Sequence, residues 1–251
     1  MEKKVIIVGA GLVGSLWAIY MSKAGYNVTI YERRSDIRNT KISAGKSINL
    51  ALSNRGWKAL KTVGIDKVVR KIAIPMSGRI MHALNGELTY QSYGKDNEAI
   101  YSVSRAHLNA IMMDLAEKKG NAKILYNYQC LDADLESGKI KLKNLSNNEI
   151  IEDSANIVFA ADGAFSAVRY SAMQKRDRFN YSQFFIEDGY KELLLPADKN
   201  GKYKIEKNAL HIWPRGKFML IALPNENGSF TCTLFMPYEN HKYAFNRLNS
   251  D

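Results

Sequence analysis

Thiols and imidazoles are scarce in this chain. It has two cysteines, Cys130 and Cys232, and four histidines, His82, His107, His211 and His241. Neither cysteine stands in a C-x-x-C or Cys/His spacing. That argues against a disulfide framework or a zinc finger and points to reduced thiols in a cytoplasmic compartment. The scattered histidines offer no ligand set for a metal. No apolar run is long enough to cross a bilayer. The N-terminus passes directly from two lysines into Val5-Ile6-Ile7-Val8, which reads as a strand and not as a signal peptide. Acidic residues are outnumbered, 25 against 36 basic ones, for a net charge of +11. The basic residues do not cluster with aromatics and no nucleic-acid motif occurs. The excess therefore reads either as solvated lysine faces or as attraction for small anions such as a pyrophosphate or a carboxylate.

What is present is regular. The 251 residues suffice for one large domain or two modest ones, with no repeat, linker or low-complexity segment between them. Val5 to Val8 predicts a buried parallel strand, Leu12 to Ala24 a helix closed by Gly25, and Asn27 to Tyr31 a second strand ending at Glu32. This is a β-α-β unit. Further helices are expected from Ser53 to Val63 and from Ser104 to Lys119, each stopped by a glycine (Gly64, Gly120). Asn156 to Ala161 predicts another buried strand. Residues 74–99 and 178–251 share a different texture: alternating apolar positions and turn residues such as Asn85-Gly86, with strands expected at 204–205, 209–213, 218–223 and 230–236. The expected fold class is α/β: a Rossmann-like nucleotide-binding domain with a parallel sheet (1–73 and 100–177), interleaved with an antiparallel-sheet substrate domain (74–99 and 178–251).

"GAGLVG" fits G-x-G-x-x-G at Gly9, Gly11 and Gly14, and its context matches: strand before, helix after, acidic residue at the end of the next strand. Gly9 permits the tight turn. Gly11 lets a pyrophosphate approach the helix N-terminus. Gly14 lets helix and strand lie close. Glu32, 21 residues after Gly11, is placed to accept hydrogen bonds from both ribose hydroxyls of an adenosine and to repel a 2′-phosphate. The pattern alone does not separate NAD from FAD.

Three later stretches bear on that choice: "SINLALSNRGWKAL" at 47–60, "SRAHLN" at 104–109 and "FAADGAFSAVR" at 159–169. Together with the glycine motif they resemble the flavoprotein aromatic hydroxylases. "GRIMH", "LHIWPRGKFMLIALPN" and "SFTCTLFMPYE" resemble the branch of that family that acts on L-kynurenine. The resemblance implies FAD as cofactor, NADPH as co-substrate, and insertion of one atom of O2 into the kynurenine ring to give 3-hydroxykynurenine. For FAD it implies Val13 with the three glycines, Tyr31, Glu32, Arg33 and Arg34, Ala51, Arg105, the backbone at Cys130 and Leu131, and Asp162-Gly163. For the substrate carboxylate it implies Arg79 and Tyr93, and guanidinium forks do bind carboxylates in this way. Trp213, Phe218, Phe230 and Phe235 either line the substrate ring or form plain sheet core. No side chain stands out as a general acid or base, and His82 and His211 read as packed or surface residues.

One family feature is missing. The family carries a Gly-Asp dipeptide later in the chain that holds the ribityl chain, and this sequence contains none. The 251 residues therefore read as the N-terminal part of such an enzyme, with weak or no activity of their own and an uncovered sheet edge that invites association of copies. Two alternatives stay open: a non-catalytic nucleotide- or partner-binding remnant, and a related flavin monooxygenase with another carboxylate-bearing aromatic substrate.

Overall fold

The computed structural model describes residues 3–39, 48–95 and 98–248. Packing divides the chain into two compact units, Met1–Lys41 with Leu108–Gln183, and Ile42–His107 with Phe184–Asp251. Each unit is drawn from two stretches of the chain; residues 48–73 and 100–107, assigned from sequence to the nucleotide-binding domain, group with the second unit, and 178–183 with the first.

The first unit is built on a parallel sheet in which Ile157–Ala160, Lys4–Val8, Asn27–Glu32 and Lys123–Tyr126 lie side by side in that order. Val5, Ile6 and Ile7 are fully buried, as a β-branched run covered on both faces should be. The helix Leu12–Lys23 makes the crossover, and Gly25, at φ +81°, turns the chain into the next strand. A second layer is the antiparallel ribbon Tyr128–Ala133, Lys139–Asn144 and Ile150–Ser154. The sequence alternates from Lys123 to Lys143 with a turn at Glu136-Ser137-Gly138-Lys139, which agrees with the first two strands; it predicts no strand at Ile150–Ser154. Tyr31 joins the layers: its ring packs into the core with Cys130, Ile140 and Leu142, and its hydroxyl donates to Asp153 at 2.8 Å. Lys4 pairs with the same carboxylate.

The helix Arg105–Gly120 begins as expected, with the Ser104 hydroxyl accepting the His107 N–H at 3.3 Å. Its end differs. Gly120 lies inside the helix, where a Cβ would stand 3.1 Å from Ser22 Oγ. Asn121, at φ +50°, makes the left-handed turn instead. So Gly120 serves helix–helix packing, not termination.

The second unit holds a six-stranded sheet in the order Asp188–Leu195, Phe230–Pro237, Phe218–Pro224, Ala209–Arg215, Gly78–His82 and Leu88–Ser92. It is antiparallel except where Ala209–Ile212 runs parallel to Gly78–Met81. Residues 204–205, expected as a strand, form a bend, and the edge position is taken by Asp188–Leu195. A small sheet joins Asn49–Leu52, Ile100–Ser104 and Ile74–Met76, and along the chain the helices Asn54–Thr62 and Asp66–Arg70 connect its first strand to Ile74–Met76. Among the described residues no helix is long and apolar enough to cross a membrane.

Candidate functional site

The strand order of the first unit's parallel sheet switches sides at Lys4–Val8: the chain moves to Asn27–Glu32 on one side, and Ile157–Ala160 later fills the other. Ligands of open α/β sheets bind at such a switch point, beyond the carboxyl ends of the strands. The loops leaving those ends meet there. Gly9 has φ +101°, and a Cβ on it would lie 2.6 Å from the Ala161 carbonyl oxygen. A Cβ on Gly14 would lie 1.9 Å from the Gly9 carbonyl oxygen. A Cβ on Gly11 would meet nothing within 4 Å. Two glycines thus serve close packing, while the third opens onto free space at the start of the helix Leu12–Lys23. Its first turn carries no acidic residue. Unpaired N–H groups and the positive dipole end there suit an anion. Val13, in the same turn, is 72% exposed.

Glu32 is only 5% exposed and is already engaged. One oxygen accepts the Ala10 N–H at 2.8 Å; the other accepts the Arg34 N–H at 3.0 Å and its Nε at 2.8 Å. Burial alone would raise the carboxyl's pKa, but these donors outweigh it and hold it below the ordinary carboxylate range. Glu32 is therefore ionised and braces the glycine loop. Arg33 and Arg34 are exposed beside it, whereas the Tyr31 side chain points into the core, so only its backbone faces this end of the sheet.

Asp162 also has a structural task. One carboxylate oxygen accepts the N–H of Ala167 at 2.7 Å and of Val168 at 3.4 Å, holding the start of the helix Ala167–Lys175. The other is buried with no partner among the described residues. Gly163, at φ +86°, is exposed. Cys130 is buried; burial, then the charge of Asp162, pushes its thiol up to about 11, so it is a core thiol and not a nucleophile. Leu131 points outward, 40% exposed.

Two residues that sequence reasoning passed over complete this unit. Asn109, 7% exposed, donates its amide to the Ala10 carbonyl at 3.1 Å. Arg38 saturates its guanidinium: it binds both oxygens of Asp36 (2.7 to 3.0 Å), Asp114 (2.7 Å), Glu117 (2.6 Å) and the Tyr126 hydroxyl (2.7 Å). Only the break in an otherwise apolar stripe, Leu108, Met112, Met113 and Ala116, signals Asn109 in the sequence. For Arg38 no local signal exists.

In the second unit, Arg79 is exposed and its Nε donates to the cross-strand Gln91 at 2.8 Å. Burial raises the Tyr93 hydroxyl's pKa while the charge of Arg79 pulls it down, so the two groups sense each other. Strand alternation and register decide what shares their sheet face. Arg79, Leu210, Ile212, Ile221, Met219, Thr233 and Phe235 lie on one face. His82, His211, Trp213, Phe218 and Phe230 lie on the other, where Phe230 is fully buried core. Of the four candidate aromatics only Phe235 sides with Arg79. The histidines form a packed pair: His211 Nε2 lies 2.8 Å from the Glu206 carbonyl and its Nδ1 2.9 Å from His82 Nε2. A carbonyl only accepts, so His211 carries its proton on Nε2 and accepts from His82. Burial lowers both pKa values, keeping the pair neutral. Ala51 and Arg105 also belong to this unit; both are exposed, Ala51 paired with Ser102 and the Arg105 N–H bonded to the Ile48 carbonyl at 3.3 Å.

Residues 2–186 match the family model described as FAD binding domain. The chain is 51% identical over 236 residues to the kynurenine 3-monooxygenase of Flavobacterium johnsoniae, covering 94% of this chain and 52% of that protein. It is 49% identical to that of Christiangramia forsetii (95% and 53%) and 44% identical to that of Sus scrofa (94% and 49%). The chain thus spans about half the length of the curated relatives it matches. Among solved structures, a Klebsiella pneumoniae HpxO variant complexed with FAD superposes with a TM-score of 0.75 at 16% identity, covering all of this chain and 60% of that one. The p-nitrophenol 4-monooxygenase PnpA of Pseudomonas putida gives 0.74 at 17% identity, covering 96% and 60%. At such identities these structures speak for the fold alone: a Rossmann-like α/β unit with added antiparallel sheet.

Proposed function

The chain belongs to the FAD-binding-domain family, and from that premise we propose that it holds FAD by its ADP half and takes part in hydroxylating the ring of L-kynurenine to 3-hydroxykynurenine, with NADPH as reductant. FAD, when bound, supplies the redox chemistry that activates O2. The residues present fit that cofactor: open space over Gly11, a helix N-terminus without competing acids, and an ionised carboxylate at the ribose position. An ionised carboxylate offers about four acceptor sites. Ala10 and Arg34 supply three donors within 3.0 Å and a fourth, Arg34 Nη2, at 3.5 Å; a ribose hydroxyl would displace that longest bond. The same charge opposes a 2′-phosphate, so NADPH is a visiting co-substrate and not the resident ligand.

The observation that carries the substrate assignment is the sheet face around Arg79. A guanidinium steadied by Gln91, with the Tyr93 phenol near it, stands at the rim of a half-open apolar surface of Ile212, Ile221, Met219 and Phe235. A cation with a second donor binds a carboxylate, and the apolar strands receive an aromatic ring. The relatives' shared name, at 44 to 51% identity, supports kynurenine in that place. In the protein that carries this chain, Arg79→Ala should raise KM for kynurenine roughly 10- to 100-fold, the loss of one charge-assisted interaction, with a smaller effect on kcat. Kynurenine-stimulated NADPH oxidation, with the product identified, measures it. An unchanged KM overturns the substrate assignment.

A further inference from the structure

The glycine loop is held from inside by side chains that no glycine rule accounts for. Ala10, between Gly9 and Gly11, is 1% exposed and has both backbone polar groups tied down. Its N–H goes to Glu32 at 2.8 Å; its carbonyl accepts from Ser15 Oγ at 3.2 Å and from Asn109 Nδ2 at 3.1 Å. Ser15 lies in the helix that the loop opens, Leu12–Lys23, but Asn109 comes from another helix, Arg105–Gly120. Its orientation is fixed, because turning the amide over would set oxygen against oxygen. The cost is visible: Asn109 Oδ1 is buried with no partner among the described residues. A buried unsatisfied oxygen is unfavourable, and an aliphatic side chain in its place would avoid that cost. The donated bond must therefore do something an aliphatic residue does not.

The peptide geometry says what. In a trans peptide the C=O and the next N–H point in opposite directions. Holding the Ala10 carbonyl inward turns the Gly11 N–H away from the buried interior, at a residue around whose Cβ position there is nothing within 4 Å. We propose that Asn109 is a positioning residue for the dinucleotide: by donating to the Ala10 carbonyl it aims the Gly11 N–H, and the helix start behind it, at the pyrophosphate. This rests on the FAD reading above and adds to it a residue outside the glycine motif, about a hundred positions away along the chain.

The test compares wild type with Asn109→Asp and Asn109→Leu, each shown folded by its melting curve. FAD is titrated between pH 5.5 and 8. An ionised aspartate repels the Ala10 carbonyl, whereas a protonated one donates to it. Asn109→Asp should lose roughly tenfold in FAD affinity at pH 8, the scale of one hydrogen bond, and regain most of it at pH 5.5. Asn109→Leu should be weakened equally at both pH values. Glu32, Arg34 and Asp162, the ionisable groups around the loop, are common to all three proteins, so a difference between profiles belongs to position 109. A merely structural role would lower affinity without the acid recovery; variants that bind like wild type at pH 8, or show no recovery, overturn the proposal. Amide exchange in the ligand-free proteins separates this from the function itself. If wild type binds no FAD, the FAD reading fails, and the clamp is still judged: the Gly11 to Val13 amides should exchange several-fold faster in Asn109→Leu, and equal exchange overturns it.

Discussion

Replacing Gly14 by alanine should distort the loop–helix junction and lower both Tm and FAD affinity, whereas replacing Gly11 should leave the fold intact and still weaken FAD binding on the order of 100-fold. The new Cβ at Gly14 would stand 1.9 Å from the Gly9 carbonyl oxygen and 3.3 Å from Ala161 Cβ. Neither can yield. Gly9 is held at φ +101°, and the Ala161 N–H is bonded to the Val8 carbonyl at 2.8 Å. The helix must lift off the sheet, at a cost of about 3 kcal/mol. Alanine's helix propensity gains back about 1 kcal/mol at most. A fall in Tm of roughly 5–10 °C is expected. At Gly11 φ is −72°, which any residue adopts, and there is space for a methyl group. That space is where a pyrophosphate would approach, so FAD affinity should drop on the order of 100-fold with Tm nearly unchanged. Thermal melts and FAD titrations of the two variants separate the glycine that serves the fold from the one that serves the ligand.

The second large effect is expected at Arg38. Its guanidinium is the common cation of Asp36, Asp114 and Glu117, with the Tyr126 hydroxyl as a further partner, and its side chain is 21% exposed. Arg38→Met leaves three carboxylates facing one another. Removing one side of a buried pair costs 3–5 kcal/mol; partial solvent access reduces this to about 2–4 kcal/mol here. Arg38→Lys should recover little, because an ammonium cannot reproduce the planar fork. The pH dependence has a definite sign. The Arg38 guanidinium holds the Asp36 carboxyl below its ordinary value. Its stabilisation is therefore present above the unfolded pKa of about 4 and lost as pH falls through the folded value. The gap between wild type and Arg38→Met should be full at pH 7 and shrink as pH falls below about 4, as followed by denaturant melts. A constant gap would mean that the cluster's charges contribute nothing. Because the cluster fixes the turn Ile37–Asn39 just beyond Arg34, FAD affinity should weaken as well.

What could be read in the sequence was what lies close along the chain. The strand, the three glycines, the crossover helix and Glu32 fall within residues 4–32 and obey a local period, so their roles follow from spacing. Arg38 meets Asp114, Glu117 and Tyr126 only because the sheet order sets Lys123–Tyr126 beside Asn27–Glu32; separations of 76 to 88 residues leave no local trace. The strand Asp188–Leu195 escaped because it lies at a sheet edge and its polar residues break the alternation. For Trp213 and Phe230 the sequence leaves pocket lining and sheet core both open; register places them on the face away from Arg79, since one residue of offset changes the face. Glu32 reads from sequence as a ribose ligand alone, and the structure adds its bond to Ala10, which makes it part of the loop's own support.

The central claim is that the first unit recognises the ADP half of FAD. The most direct measurement is calorimetric titration of the folded chain with FAD, repeated in the presence of ADP and then of FMN. One site per chain is expected, competed by ADP and indifferent to FMN, because the loop, helix start and carboxylate address a pyrophosphate and an adenosine ribose. Competition by FMN as strong as that by ADP, or no FAD binding at all, would contradict the account.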